Sequence, residues 1–257
     1  MENEEKMMLI PERQDRENDP SSYSNPKIFF VVRAIIISSC IVFVYLNSTY
    51  GTLLPDGDVK CLDDKVFDLT SGINNFFQKN EFYRRALLIT SSFFIDFVIV
   101  FFSILWTKRG RSYRPVIAYM LFYSMRGLTQ HLFQMRYPEG YLWEYPGFPS
   151  LVISYLKTND FFFSGHIGFP IIAAMEFYYF GYVNMYYFCL MSSAFEALTM
   201  IFLRGHYSID LLAGVIFAHY AFLISEKYSY ILDDSSISMK NHLKYEVIEE
   251  KQPLNNV

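Results

Sequence analysis

The sequence predicts an all-α, polytopic membrane protein with six transmembrane helices, and three observations carry that reading. Apolar residues make up 52% of the 257 and aromatic residues 19%, the balance of a chain that spends much of its length in hydrocarbon. Charge is crowded into the two ends and a few short loops. Between them lie six apolar stretches, each about as long as a helix needs to cross a core of ~30 Å.

Residues 1–26 are dense in Glu, Asp, Asn and Ser and lack the basic-then-apolar pattern of a cleaved signal peptide, so they read as a disordered cytosolic tail. Inside it, Glu5 through Leu9 and Ile10 has the form of an acidic dileucine sorting signal. Residues 28–46 form the first expected span, with Arg33 near enough to its start to snorkel. Residues 47–85 read as a polar loop with a turn signal at Leu54-Pro55-Asp56-Gly57. The second span, 86–106, encloses Asp96, a carboxylate that must face the bundle interior, either supporting a site or bonding a neighbouring helix. A third span, 116–135, encloses Arg126, which must also point inward. Residues 137–159, with Pro138, Gly140, Pro146, Gly147 and Pro149 among aromatics, read as a re-entrant or interfacial loop. Spans four to six follow at 161–180, 185–203 and 209–224, with Glu196 inside the fifth. Residues 225–257 form a polar C-terminal tail. The expected organisation is therefore a tail at 1–26, a six-span domain at 27–224 and a second cytosolic tail at 225–257.

Lys108, Arg109, Arg111 and Arg114 crowd one very short loop, which the positive-inside rule places in the cytosol. Counting from there, both termini are cytosolic, and the N-terminal ends of spans four and six lie on the lumenal or exoplasmic side. The net charge of −4 and the absence of a basic stripe elsewhere exclude nucleic acid as a partner. The three cysteines, Cys40, Cys61 and Cys189, show neither CxxC nor metal-ligand spacing, so neither a disulfide framework nor a metal centre is expected. No Walker loop or dinucleotide-binding glycine pattern is present, and no cofactor is expected.

Two polar islands bracket the fourth and fifth spans: Asp160 to His166 with Ser164-Gly165-His166, and Arg204-Gly205-His206-Tyr207-Ser208-Ile209-Asp210. A histidine at the edge of an apolar segment is costly unless it is used or satisfied. His206 and Asp210 stand at i and i+4, so the carboxylate can hold one ring nitrogen and leave the other nitrogen's lone pair free. Two imidazoles and a carboxylate suit phosphoryl transfer, with His206 attacking phosphorus and His166 protonating the departing oxygen. Negative charge on the phosphate requires cations, and Arg204 and Arg126 are in reach. At a membrane surface the substrate is a phospholipid head group.

These motifs resemble those of the lipid phosphatase/phosphotransferase superfamily, in the branch of sphingomyelin synthases and phosphatidylcholine:diacylglycerol cholinephosphotransferases. The stretch from Arg114 through Tyr119, Tyr123 and Arg126 to Thr129 is similar to that branch's motif of arginines and tyrosines, and Leu54-Pro55-Asp56 echoes another. The resemblance implies His206 as nucleophile, Asp210 as its orienter and His166 as general acid and then base. Ser164, Gly165, Asp160 and Tyr207 support them. Sphingomyelin synthases usually carry Cys-Gly-Asp before the first motif, whereas Thr158-Asn159-Asp160 keeps only the aspartate. Arg204-Gly205-His206-Tyr207 looks more like the plant-type diacylglycerol enzymes. Lys108 with Arg114-Pro115 has the spacing of a phosphatase motif, but in the cytosolic loop it reads as a coincidence. The expected activity is metal-independent transfer of phosphocholine or phosphoethanolamine from a glycerophospholipid to diacylglycerol through a phosphohistidine. Alternatives are a ceramide acceptor, water as acceptor (a lipid phosphate phosphatase), or a non-catalytic scaffold. The expected setting is the endoplasmic reticulum, the Golgi or the plasma membrane, with the site lumenal or exoplasmic.

Overall fold

The computed structural model describes residues 26–49, 62–110, 112–133, 135–153, 155 and 161–250, and among them there is no β-strand. The dileucine-like signal, Leu54 to Gly57, Cys61, Arg111 and Asp160 lie outside the described residues. Eight helices follow in order: α1 (Pro26–Thr49), α2 (Lys65–Leu69), α3 (Ser71–Lys79), α4 (Glu81–Arg109), α5 (Arg114–Leu132), α6 (Gly165–Tyr179), α7 (Val183–Phe202) and α8 (Ser208–Glu250). Three are long and apolar enough to cross a membrane, namely Glu81–Arg109, Val183–Phe202 and the Ser208–Asp233 part of α8. α1 contributes a shorter apolar run, Phe30–Leu46. α5 carries Arg114 and Arg126 within 19 residues, and α6 has 15 residues.

Two expectations change. The loop expected at 47–85 is helical in its second half, because Asp64 caps α2 by accepting the Val66 N–H at 3.0 Å, and α3 and α4 follow with little interruption. The C-terminal segment from Ser225 continues α8 to Glu250 as helix. Its Glu and Lys content is compatible with helix once an apolar segment has nucleated it.

α6 and α7 form an antiparallel pair, and α8 lies across α5 and α6. The turn between α6 and α7 uses Gly181 at φ 77°. There the Tyr182 N–H reaches back to the Phe177 carbonyl at 2.9 Å, a left-handed helix stop that favours glycine. The core divides along the bundle. One cluster gathers Leu88, Phe122, Phe163, Ile167, Met200 and Leu211, and the other gathers Val98, Phe102, Trp106, Ala173 and Phe177.

Polar groups mark the second cluster's end of the bundle. Arg114 grips Glu176 with two bonds, 2.7 and 2.9 Å, and Glu176 is 1% exposed. Asp233 accepts from the Ser112 hydroxyl at 2.6 Å and the Tyr113 N–H at 2.9 Å. Arg33, rather than snorkelling outward, is 2% exposed and donates to the carbonyls of Trp106 and Gly110. A cation there adds a second bond to the Trp106 carbonyl, which already accepts the Gly110 N–H, and takes up the Gly110 carbonyl just past the helix end. Arg114 is thus committed about 15 Å of helix away from His166, the distance from Glu176 back along α6. The Lys108 to Arg114 spacing belongs to this end.

Candidate active site

The second polar island is built by the ends of α7 and α8. At the C-terminus of α7 the Arg204 N–H bonds the Ile201 carbonyl at 3.3 Å and the Gly205 N–H bonds the Met200 carbonyl at 2.9 Å. This is the closing pattern that usually places glycine in the left-handed position. Here Arg204 occupies it, at φ 52°. Its guanidinium donates to the Glu139 carbonyl at 2.5 Å and the Phe67 carbonyl at 3.2 Å, and lies 5.1 Å from the Phe67 ring. These bonds tie Arg204 to backbone on the side of the loop and α2, and they hold the turn that presents His206.

α8 begins at Ser208, whose N–H and hydroxyl both bond Asp64, at 2.6 and 3.0 Å. One carboxylate therefore caps α2 and the long α8 together. Sequence reading passed over Asp64; an aspartate just ahead of a short apolar run, Val66 and Phe67, was the available signal.

Asp210 joins the two islands. Its Oδ2 lies 3.2 Å from His206 Nδ1 and accepts the Tyr207 N–H at 3.1 Å. Its Oδ1 accepts the Phe162 N–H at 3.2 Å, and its backbone carbonyl accepts the Ser164 N–H at 3.0 Å. Phe162 has φ 98°, a strained conformation for a non-glycine residue that the Asp210 bond helps to hold. His206 is 2% exposed and Asp210 fully buried. With Nδ1 committed to the carboxylate, the imidazole presents Nε2 as a lone pair.

His166 sits at the start of α6, its ring centroid 5.9 Å from that of His206 at 64°. Trp143 meets it edge to face at 5.1 Å and stacks on Tyr155 at 5.5 Å. Neither ring nitrogen of His166 has a hydrogen-bond partner among the described residues. Pro170, four residues on, has no N–H to give the His166 carbonyl. Arg126 is 3% exposed, donates to the Phe163 carbonyl at 3.2 Å, and lies against Gly165, where an added Cβ would be 3.4 Å from its Nε. The small residue lets the guanidinium pass close to the start of α6.

The structure therefore brings together His166, His206, Asp210, Arg126, Ser164 and Gly165. Tyr207 is fully buried, with its hydroxyl on the Arg136 carbonyl at 2.8 Å and its ring between Phe67 and Phe161. Asp96 accepts from Ser150 and the Leu151 N–H at 2.9 and 3.1 Å, and fastens the loop to α4. Glu196 accepts from Ser91 at 2.8 Å. Among the described residues no group of three or more His, Cys, Asp or Glu side chains is placed to hold a metal ion. Trp143 and Asp64 are the neighbours that sequence reading missed.

Helix α8 approaches the first island so closely that a Cβ on Gly214 would lie 2.8 Å from the Ser164 carbonyl. Backbone cannot move aside cheaply there. Gly214→Ala should lower stability by about 1–3 kcal/mol, read as a fall in unfolding temperature in detergent. Gly72→Ala, where nothing lies within 4 Å in α3, should be neutral or stabilising by up to ~1 kcal/mol. Equal behaviour of the two variants would contradict the close approach of α8 to Ser164.

Compared with known proteins, residues 63–227 match the family described as AtPDCT1/2. Phosphatidylcholine:diacylglycerol cholinephosphotransferase 1 of Arabidopsis thaliana is 24% identical over 152 residues, 59% of this chain and 49% of that protein. The chain thus spans about half the length of the curated relative it matches. No solved structure matches. The family match takes in Asp64, Arg126 and both histidine islands, and by it the chain belongs to the AtPDCT1/2 family.

Proposed function

We propose that this protein is a membrane phospholipid head-group transferase, moving phosphocholine or phosphoethanolamine from a glycerophospholipid to diacylglycerol through a phosphohistidine. The observation that carries the reading is the pairing of an Asp210-bound His206 with a second imidazole, His166, at 5.9 Å. His206 Nε2 attacks phosphorus, a P–N bond forms, and the bond to the glycerol oxygen breaks. Protonated His166 gives its proton to that oxygen, so diacylglycerol leaves as an alcohol. In the second half, His166 takes the proton from the acceptor hydroxyl, which attacks phosphorus and releases His206. Asp210 holds the tautomer and offsets the charge on His206 while phosphorus is attached. Arg126, beside the start of α6, is the cation for the phosphate oxygens; Arg204 acts by holding the turn that carries His206.

Labelled phosphatidylcholine offered diacylglycerol and ceramide in parallel tests the acceptor, with diacylglycerol expected to take the label in the presence or absence of EDTA. His166→Ala should lose at least 100-fold on the natural donor and recover in part on a donor with a good leaving group. His206→Ala should be inactive on both. Label passing to ceramide alone would assign the other acceptor, release to water would make the protein a phosphatase, and an active His206→Ala would remove the covalent mechanism.

Six spans, both termini in the cytosol and a lumenal or exoplasmic site form the topology we propose, in endoplasmic reticulum, Golgi or plasma membrane. The separation of Lys108 and Arg109, at the end of α4, from the histidines supports it. A reactive cysteine at Lys108 should be labelled only from the cytosolic side and one at Tyr145, 56% exposed, only from the other. The reverse pattern would place the site in the cytosol.

A further inference from the structure

A cavity of about 130 Å³ opens beside the site and runs between α1, α4 and α5. Arg126 and His166 line one end. Trp106 lines the other, 1% exposed and pinned by its indole N–H to the Ser112 carbonyl at 2.9 Å, with the Arg33 guanidinium 4.7 Å from its ring. Between these ends the walls are mostly hydrocarbon, with Ile37, Ile41 and Val44 from α1, Ile99 from α4 and Val116 from α5, interrupted by Cys40, Ser103, Tyr119 and Tyr123. From Val116 to Arg126 along α5 the slot is about 15 Å long.

A long apolar slot with an imidazole and a guanidinium at one end matches an amphiphile whose reacting oxygen and phosphate sit at that end. We infer that this cavity holds one acyl chain of the diacylglycerol moiety, with its terminal glycerol oxygen at His166 and the tip of the chain against Trp106. The assignment rests on the proposed transfer. It also goes beyond it, because His166 serves the departing and the arriving oxygen alike, so one slot receives diacylglycerol as leaving group and as acceptor. Trp106 would then set the longest chain accepted, and Ser103, one helical turn before it on α4, the width near that end.

The test compares dioctanoylglycerol, whose chain reaches the Trp106 end of the slot, with dibutyroylglycerol, whose chain stops short of Ser103, as acceptors in phosphatidylcholine mixed micelles, using the full chain. Each methylene denied its packing weakens binding about fourfold. Ser103→Phe and Val116→Phe should therefore lower the ratio of kcat/KM for the long acceptor over the short one at least tenfold. Ile104→Phe, which adds the same bulk one residue along α4 at a 51% exposed position, should keep the wild-type ratio and activity. A wild-type ratio in both narrowing variants, equal loss on both acceptors in both, or an Ile104→Phe ratio shifted as far would overturn the slot. A wild-type protein that transfers no head group to either acceptor would fail the function instead.

Discussion

The carboxylate of Asp210 is the constraint on which the site depends. One buried group touches the His206 ring, the Tyr207 N–H and the Phe162 N–H, while its own backbone carbonyl takes the Ser164 N–H. Both histidine islands are therefore fastened to the first turn of α8, although more than forty residues of chain lie between Phe162 and Asp210. Each N–H left unsatisfied by removing the carboxylate would cost roughly 1–3 kcal/mol, before any effect on His206. The strained Phe162 backbone persists because that bond and the aromatic packing around it over-determine it.

The position of α8 depends in turn on two further links. Asp64 caps its N-terminus from a short helix on the far side of the sequence. Gly214 allows its second turn to touch the Ser164 backbone. Arg204 and Asn74 complete the frame. Asn74 donates to the carbonyls of Gly140 and Phe202, so the loop, α3 and the end of α7 are drawn to one point. The other end of the bundle is held by ion pairs and capped carbonyls, Arg114 with Glu176 and Arg33 with α4. The two histidine islands and the clamping polar groups are thus kept apart by an apolar middle.

Much of this was legible in the sequence. The i and i+4 spacing of His206 and Asp210 required only helical geometry, and the hydrophobic runs located α1, α4, α5, α6, α7 and the start of α8 to within about five residues, though neither α2 and α3 nor the end of α8. The need of Arg126 to face inward also followed from its apolar surroundings. The rest depends on pairings between distant segments. Charge beside a histidine suggests Arg204 as a phosphate ligand, while the structure shows its guanidinium on the Glu139 and Phe67 carbonyls. Its left-handed backbone was not signalled by local composition, since arginine stands where glycine is usual. Asp64 and Trp143 lie in polar and aromatic stretches with no period to mark them, and only the fold places them beside Ser208 and His166. The helical half of the segment expected as a loop was hidden by its short, separately capped pieces.

The central claim is that His206 carries the phosphoryl group between two lipids. The most direct measurement is rapid quenching of the protein with phosphatidylcholine labelled at phosphorus, in the absence of acceptor, followed by digestion and mapping of the label. The account predicts an acid-labile, alkali-stable label on the peptide holding His206, chased into lipid by added diacylglycerol. Turnover with no covalent label under any quench, or a label on His166, would contradict it.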